Sequence, residues 1–304
     1  MDARRPPPIA PGALVAVVAP SSPFDRDELF RGLAWLRQRY RLRIATSIFA
    51  RAGYLAGDDA RRAAELGRAM TDAEVGAILC ARGGYGAMRI LDSLPWDAFA
   101  AAPKWIIGFS DVTALHAAAQ ARNVCTIHGP NATGLGRSIT SIERYTLIKV
   151  VEGSGSGPAW EGLDVLRPGS AEGPLVGGNL ALVHAMAAAG RFVVPPGAVV
   201  VLEDVTERPY RIDRMLASLH LAGVFARAAA VVFGSFTQCE AGSDGVAARE
   251  VLLDLARRLA IPVLANAPFG HGAPNHAFVL GARARVDGDR LSFSVTSSSS
   301  KTDA

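Results

Sequence analysis

The sequence predicts an α/β fold in two units, a parallel sheet with helices on both faces followed by a smaller, β-rich α+β unit. Three observations carry this. In the first half, short β-branched apolar runs alternate with segments whose apolar residues recur at helical spacing, the pattern of a parallel sheet. Around residues 153–173 the chain turns rich in Gly, Ser, Pro and Asp and loses any period, as a crossing between domains does. Near the end, residues 278–295 alternate in period two, which suits antiparallel strands. The expected domains are therefore residues 1–152 and 173–304, with 153–172 as linker. Half of the 304 residues are hydrophobic and a fifth are charged, enough to build a substantial core.

Taken in order, residues 13–19 form a first buried strand that ends at Pro20. Residues 25–40 place Leu29, Leu33 and Leu36 on one helical face, with acids early and Arg late, in accord with the helix dipole. A second strand is expected at 43–49, a helix at 58–70 and a strand at 75–80, which runs into Arg82-Gly-Gly-Tyr-Gly86. A helix follows at 87–94. The strand Trp105, Ile106, Ile107 then meets Gly108, and Ser110-Asp111 opens an alanine-rich helix. Residues 124–127 make a further strand before His128-Gly-Pro-Asn131. In the second unit, helices are expected before Gly190 and at 210–221 and 245–259. Strands are expected at 198–202, ending on Glu203-Asp204, and at 229–233 and 263–264. Ala284, Val286, Leu291 and Phe293 should point inward, and the serine-rich tail from Ser297 should be disordered.

Charge and cysteine content exclude several classes. The net charge is +4, and the arginines are scattered among acids rather than gathered in a stripe, so nucleic acid is not an expected partner. The three cysteines, Cys80, Cys125 and Cys239, are far apart, with no spacing for a disulfide framework or a zinc site. No run approaches the ~20 apolar residues of a membrane span, and residues 13–19 are too short for a signal segment. A cytoplasmic protein without metal or cofactor is expected.

In parallel sheets ligands sit beyond the carboxyl ends of the strands, where the Arg82-Gly-Gly-Tyr-Gly86 loop, the Gly108-Phe-Ser110 corner and the His128 loop all fall. A serine on a strand-to-helix turn lies beside the positive helix end, where a nucleophile would stand. Taken alone, Ser110 or Asp111 reads as an N-cap. A nucleophilic serine needs a base and an acceptor to orient it. Of six histidines, His116, His184 and His220 fall within helices and His276 is unremarkable. His271 stands between two glycines in a loop that can project its ring into a cleft, and His128 is the second choice. Glu203 closes a strongly apolar strand, where a charge is costly unless paired, though it also reads as a residue exposed past the strand end. The amide of Asp111 and the Gly83-Gly84 backbone could stabilise an oxyanion. No Walker or dinucleotide fingerprint occurs.

Six short motifs in order, Arg82-Gly-Gly-Tyr-Gly86, Gly108-Phe-Ser-Asp-Val-Thr113, His128-Gly-Pro130, Gly177-Gly-Asn-Leu180, Leu202-Glu-Asp-Val205 with Tyr210-Arg-Ile-Asp-Arg-Met-Leu216, and Phe269-Gly-His-Gly272, resemble the L,D-carboxypeptidase family of serine peptidases. The resemblance spans residues 12–295. It implies a flavodoxin-like N-terminal domain, a smaller β-rich C-terminal domain and a site between them. It further implies a Ser110–His271–Glu203 triad with oxyanion donors at Asp111 and Gly84, no metal, and a homodimer. The implied reaction releases the terminal D-alanine from a peptidoglycan tetrapeptide, with Arg82 a candidate for its carboxylate. Two alternatives remain open on sequence: a self-immunity peptidase of the microcin C type that cleaves aminoacyl-nucleotides, and a non-catalytic muropeptide-binding protein.

Overall fold

A computed structural model of the chain describes residues 3–137, 141–153 and 159–293; the tail from Ser297 lies outside the described residues. The apolar runs of the first half become strands β1 (Leu14–Val18), β2 (Arg41–Ile44), β3 (Val75–Cys80), β4 (Trp105–Gly108) and β5 (Thr126–His128). They are all parallel, in the order β2-β1-β3-β4-β5, which is the flavodoxin-like winding.

Period two decides which face each side chain takes. Val15 and Val17 of β1 pack with helices α1 (Arg26–Leu36), α6 (Ala132–Gly136) and α7 (Ser141–Val151), through Leu29, Leu33, Leu135 and Leu147. Leu14, Ala16 and Val18 pack on the other side. Their neighbours there are α2 (Asp59–Thr71), α3 (Ala87–Ile90), α4 (Trp96–Ala101) and α5 (Thr113–Gln120), through Leu66, Met70, Ile90, Phe99 and Leu115. The side chains of Asp25 and Asp58 cap α1 and α2 by accepting from Glu28 N and Arg61 N at 2.8 and 2.7 Å.

The second sheet runs β13-β12-β7-β8-β9-β10-β6. Its centre is parallel: β7 (Ser170–Asn179), β8 (Ala198–Val205), β9 (Ala228–Thr237) and β10 (Val263–Ala265). Antiparallel β6 (Asp164–Arg167) closes one side, and the hairpin β12 (Arg283–Asp287) and β13 (Arg290–Phe293) the other. The connecting helices α8 (Leu180–Ala188), α9 (Pro209–Leu221) and α10 (Ala248–Arg258) cover one face. In α9, Ile212, Met215, Leu216 and Leu219 are all buried, each contributing on the order of 2 kcal/mol.

Two stretches depart from expectation. Residues 43–49 are not one strand, because β2 ends at Ile44 and Thr46–Phe49 is a 3-10 turn that buries Ile48. The run expected at 278–295, described as far as Phe293, does not form one antiparallel unit either. Phe278–Leu280 (β11) is buried on every residue, so no face is left for solvent, and it pairs antiparallel with β5 of the first sheet, Phe278 opposite His128. Only β12 and β13 join the second sheet.

Candidate active site

The site begins at the carboxyl end of β4. Ser110 adopts φ +66°, a left-handed conformation that is uncommon for a residue with a side chain. It opens a 3-10 turn, Ser110–Val112, that leads into α5, and neither helical segment is closed by a side-chain cap. The hydroxyl is therefore not engaged as an N-cap. Asn131, buried at the end of β5, holds the turn from behind: its Oδ1 accepts from Phe109 N at 3.4 Å. Gly83 comes so near that a Cβ there would lie 2.7 Å from Ser110 Cβ and 2.9 Å from its Oγ, so any larger residue would displace the hydroxyl.

A cavity of about 310 Å³ opens over this turn, and its lining includes Ser110, Arg82, Gly83, Gly84, Arg137 and His271. Five of the sequence-derived candidates, Arg82, Gly83, Gly84, Ser110 and His271, thus share one cavity. Glu203, near the end of β8, is fully buried behind it, and its Oε2 lies 2.7 Å from His271 Nδ1. Because a carboxylate only accepts, Nδ1 donates in this bond and Nε2 is the ring nitrogen left for another partner. Glu203 is thus not exposed past its strand end, and the imidazole is its partner.

The loop bearing His271 is anchored three times. Gly270 N donates to Asn275 Oδ1 (3.1 Å), Gly272 N to Ser235 Oγ (3.0 Å), and Asn275 N to Glu143 Oε1 of α7 (2.7 Å). Gly270 has φ +116°, and a Cβ there would meet Glu203 Oε2 at 2.8 Å, so the carboxylate reaches the ring only past a glycine. The Phe109 ring packs on the imidazole with centroids 4.8 Å apart.

Asp111 enters the site by its backbone alone. Its side chain is buried and accepts from Ala87 N at 2.8 Å, and burial raises its pKa. Its amide lies in the 3-10 turn that Ser110 opens, with no carbonyl three residues back inside the turn to accept from it. Gly84 N makes no hydrogen bond among the described residues. His128 does not line the cavity: it is fully buried, stacked on Phe278 with centroids 4.9 Å apart. Burial, with His116 and His271 nearby, lowers its pKa well below the usual 6.5. His116 is buried as well, within hydrogen-bond distance of Gly108 O (2.9 Å), and burial lowers its pKa to about 4.

Further residues support the site, and of these Arg62 carries no sequence signal. Arg62, on a helix that reads as surface, is fully buried; its guanidinium donates to Pro20 O, to Gly86 O at 2.8 Å and to Asp59, tying together the loops after β1 and β3. Asp204 accepts from Asn179 Nδ2, Ala181 N and Val205 N at 3.0, 3.0 and 2.8 Å. Burial outweighs these donors and raises its pKa to about 6. Asn179 N in turn donates to Thr113 Oγ1 at 3.0 Å, joining β7 to the helix behind Ser110.

A larger cavity, about 450 Å³, lies by the C-terminal end of α5, between Trp96, Ala118, Arg122 and Met186; no Ser, Cys or His lines it, and its acids are Asp92 and Asp97. Among the described residues no group of three or more His, Cys, Asp or Glu could hold a metal ion, and no helix is long and apolar enough to cross a membrane. The arrangement at Ser110 can serve acyl transfer: a hydroxyl on a left-handed turn, an imidazole oriented by a carboxylate, and amides without partners among the described residues.

Two family models match the chain, the LD-carboxypeptidase N-terminal domain over residues 15–129 and the LD-carboxypeptidase C-terminal domain over residues 172–286. The murein tetrapeptide carboxypeptidase of Pseudomonas aeruginosa is 34% identical over 289 residues, covering 91% of this chain and 94% of that protein. The crystal structure of the muramoyltetrapeptide carboxypeptidase from Oxalobacter formigenes superposes with a TM-score of 0.81 at 25% identity, over 92% of this chain and 98% of that one. The microcin C7 self-immunity protein of Escherichia coli is 25% identical over 325 residues, 95% of this chain and 94% of that protein.

Proposed function

The chain belongs to the LD-carboxypeptidase family, and from that premise we propose that it is a serine L,D-carboxypeptidase releasing the terminal D-alanine of a peptidoglycan tetrapeptide. The observation that carries the proposal is the convergence of Ser110 and His271 on one cavity, with Glu203 buried 2.7 Å behind the ring.

In this reading Ser110 Oγ attacks the carbonyl of the diamino acid while His271 Nε2 takes its proton. Glu203 keeps the ring in the required tautomer and stabilises the imidazolium that forms. The amides of Gly84 and Asp111 donate to the oxyanion, where two such bonds count for about 3–4 kcal/mol each in the transition state. The proton then passes to the departing nitrogen, D-alanine leaves, and water hydrolyses the ester. The free carboxylate of the leaving residue needs a guanidinium. Arg82 donates from Nη1 to Pro23 O at 2.7 Å, outside the cavity. Arg137, with only its Nε held by Glu28 at 3.0 Å, is therefore our candidate for that carboxylate. We also place the protein in the cytoplasm and as a homodimer, by likeness to the family.

The likeness to the microcin C7 self-immunity protein over nearly the whole chain supports a second reading, cleavage of an aminoacyl-nucleotide. Turnover of a free murein tetrapeptide and of a processed microcin, measured side by side by mass spectrometry, separates the two. We expect loss of one alanine from the tetrapeptide at the higher kcat/KM. The reverse preference would reject the murein assignment.

A further inference from the structure

Arg82 belongs to two cavities. Its guanidinium leaves the Ser110 cavity to reach Pro23 O, and Pro23 lines an adjoining open cavity of about 470 Å³ together with Ser22, Asp25, Arg51 and Tyr54. The balance of charge there is one-sided. Arg51 forms no ion pair or hydrogen bond among the described residues, and Arg82 donates only to that backbone carbonyl. Asp25 is the one acid in the lining, and its Oδ1 accepts from Glu28 N at 2.8 Å as the cap of α1. Ser22 ties the two cavities together, since its Oγ accepts from Tyr85 N, next to Gly84, at 3.1 Å. The Tyr85 ring packs on that of Tyr54 with centroids 5.8 Å apart, both largely exposed at 45% and 66%. Two guanidinium groups lacking carboxylate partners, beside exposed aromatic rings and continuous with a reaction cavity, suit an extended peptide that carries a carboxylate.

We infer that this adjoining cavity is a subsite for an anionic residue on the acyl side of the scissile bond. Resting on the functional reading above, the group it takes is the free α-carboxylate of the γ-linked glutamate that precedes the diamino acid in a murein tetrapeptide. Arg51, the guanidinium with no partner among the described residues, holds that carboxylate beside the Arg82 that donates to Pro23 O, so a tetrapeptide amidated at this position binds less well.

The test uses the full chain carrying Ser110→Ala, which binds without turnover. Calorimetry compares two tetrapeptides that differ only in the glutamyl α-carboxylate or α-carboxamide. The acid should bind about fivefold more tightly, the size expected of a partly exposed charge-assisted pair, and the preference should shrink as salt is raised. Adding Arg51→Ala should bring the ratio to about one with the melting temperature unchanged, whereas Arg51→Lys should keep part of it. Equal binding of acid and amide by the Ser110→Ala protein, or a preference that survives Arg51→Ala, overturns the subsite. D-alanine release by the unsubstituted protein is scored separately. A protein that prefers the acid yet releases nothing keeps the subsite and loses the catalytic reading.

Discussion

At Ser110 the backbone is held at φ +66° beside Gly83, and the side chain takes part in no cap. That backbone conformation sets Ser110 apart from a helix cap, and it lies in a dihedral angle that sequence does not display. Glu203 and His271 were legible for a different reason. A carboxylate ending an apolar strand requires a partner, and a histidine between glycines can be placed freely; the 2.7 Å contact between them fits both. Glu203→Gln should preserve the fold and lower kcat about 10³–10⁴-fold, as expected when the orienting carboxylate is lost; steady-state kinetics on the tetrapeptide checks this. The buried titrating groups set the pH response of stability. His116, with its pKa lowered from 6.5 to about 4, contributes fully above pH 6.5 and loses that contribution as pH falls toward 4, on the order of 3 kcal/mol. Asp204 is raised from 3.8 to about 6, so its folded form retains the proton longer and stability declines as pH rises through that window, by a similar amount. The two offset each other. Urea unfolding of Asp204→Asn should therefore show a steeper loss between pH 6.5 and 4 than the unsubstituted protein, by about 3 kcal/mol.

Elements with a strong period are legible in the sequence, and those held by contacts are not. β1, β3 and α9 follow directly from their apolar spacing. Helices α4, α6 and α7 are not legible in the sequence because each is short or has its apolar residues spread around it, and the segment 46–49 has a strand's composition but the geometry of a 3-10 turn. Arg62 is the sharper case. On α2 it looks like a surface residue, yet it is fully buried and bonds the carbonyls of Pro20 and Gly86. Arg62→Met should destabilise the fold by about 3 kcal/mol in urea, because it leaves Pro20 O without this donor, removes one from Gly86 O and breaks the Asp59 pair. It should also raise KM, since the loop carrying Gly83 and Gly84 loses its tether. Gly270→Ala should abolish activity through the clash with Glu203 Oε2 and the disfavoured φ.

For the whole molecule, the two sheets share structure in ways a linear reading of domains does not anticipate. β11 comes from the last part of the chain and pairs with β5, while α7 anchors the His271 loop through Glu143. The Asn179 amide reaches the Thr113 hydroxyl beneath Ser110. Thr113→Val leaves that buried N–H without its acceptor and should cost about 1–3 kcal/mol in urea unfolding, with a fall in kcat as the sheets loosen. The alternation of strand and helix made the winding of the first sheet legible. The long-range pairing of Phe278 with His128 was hidden, because three buried residues in a row fit a strand of either sheet. The central claim, that Ser110 carries peptide cleavage, is tested most directly by measuring D-alanine release from free murein tetrapeptide by the native and Ser110→Ala proteins. Release by the native protein, a fall of at least about 10³-fold in the variant and an unchanged melting temperature are expected; near-native release by Ser110→Ala, or none by the native protein, would contradict it.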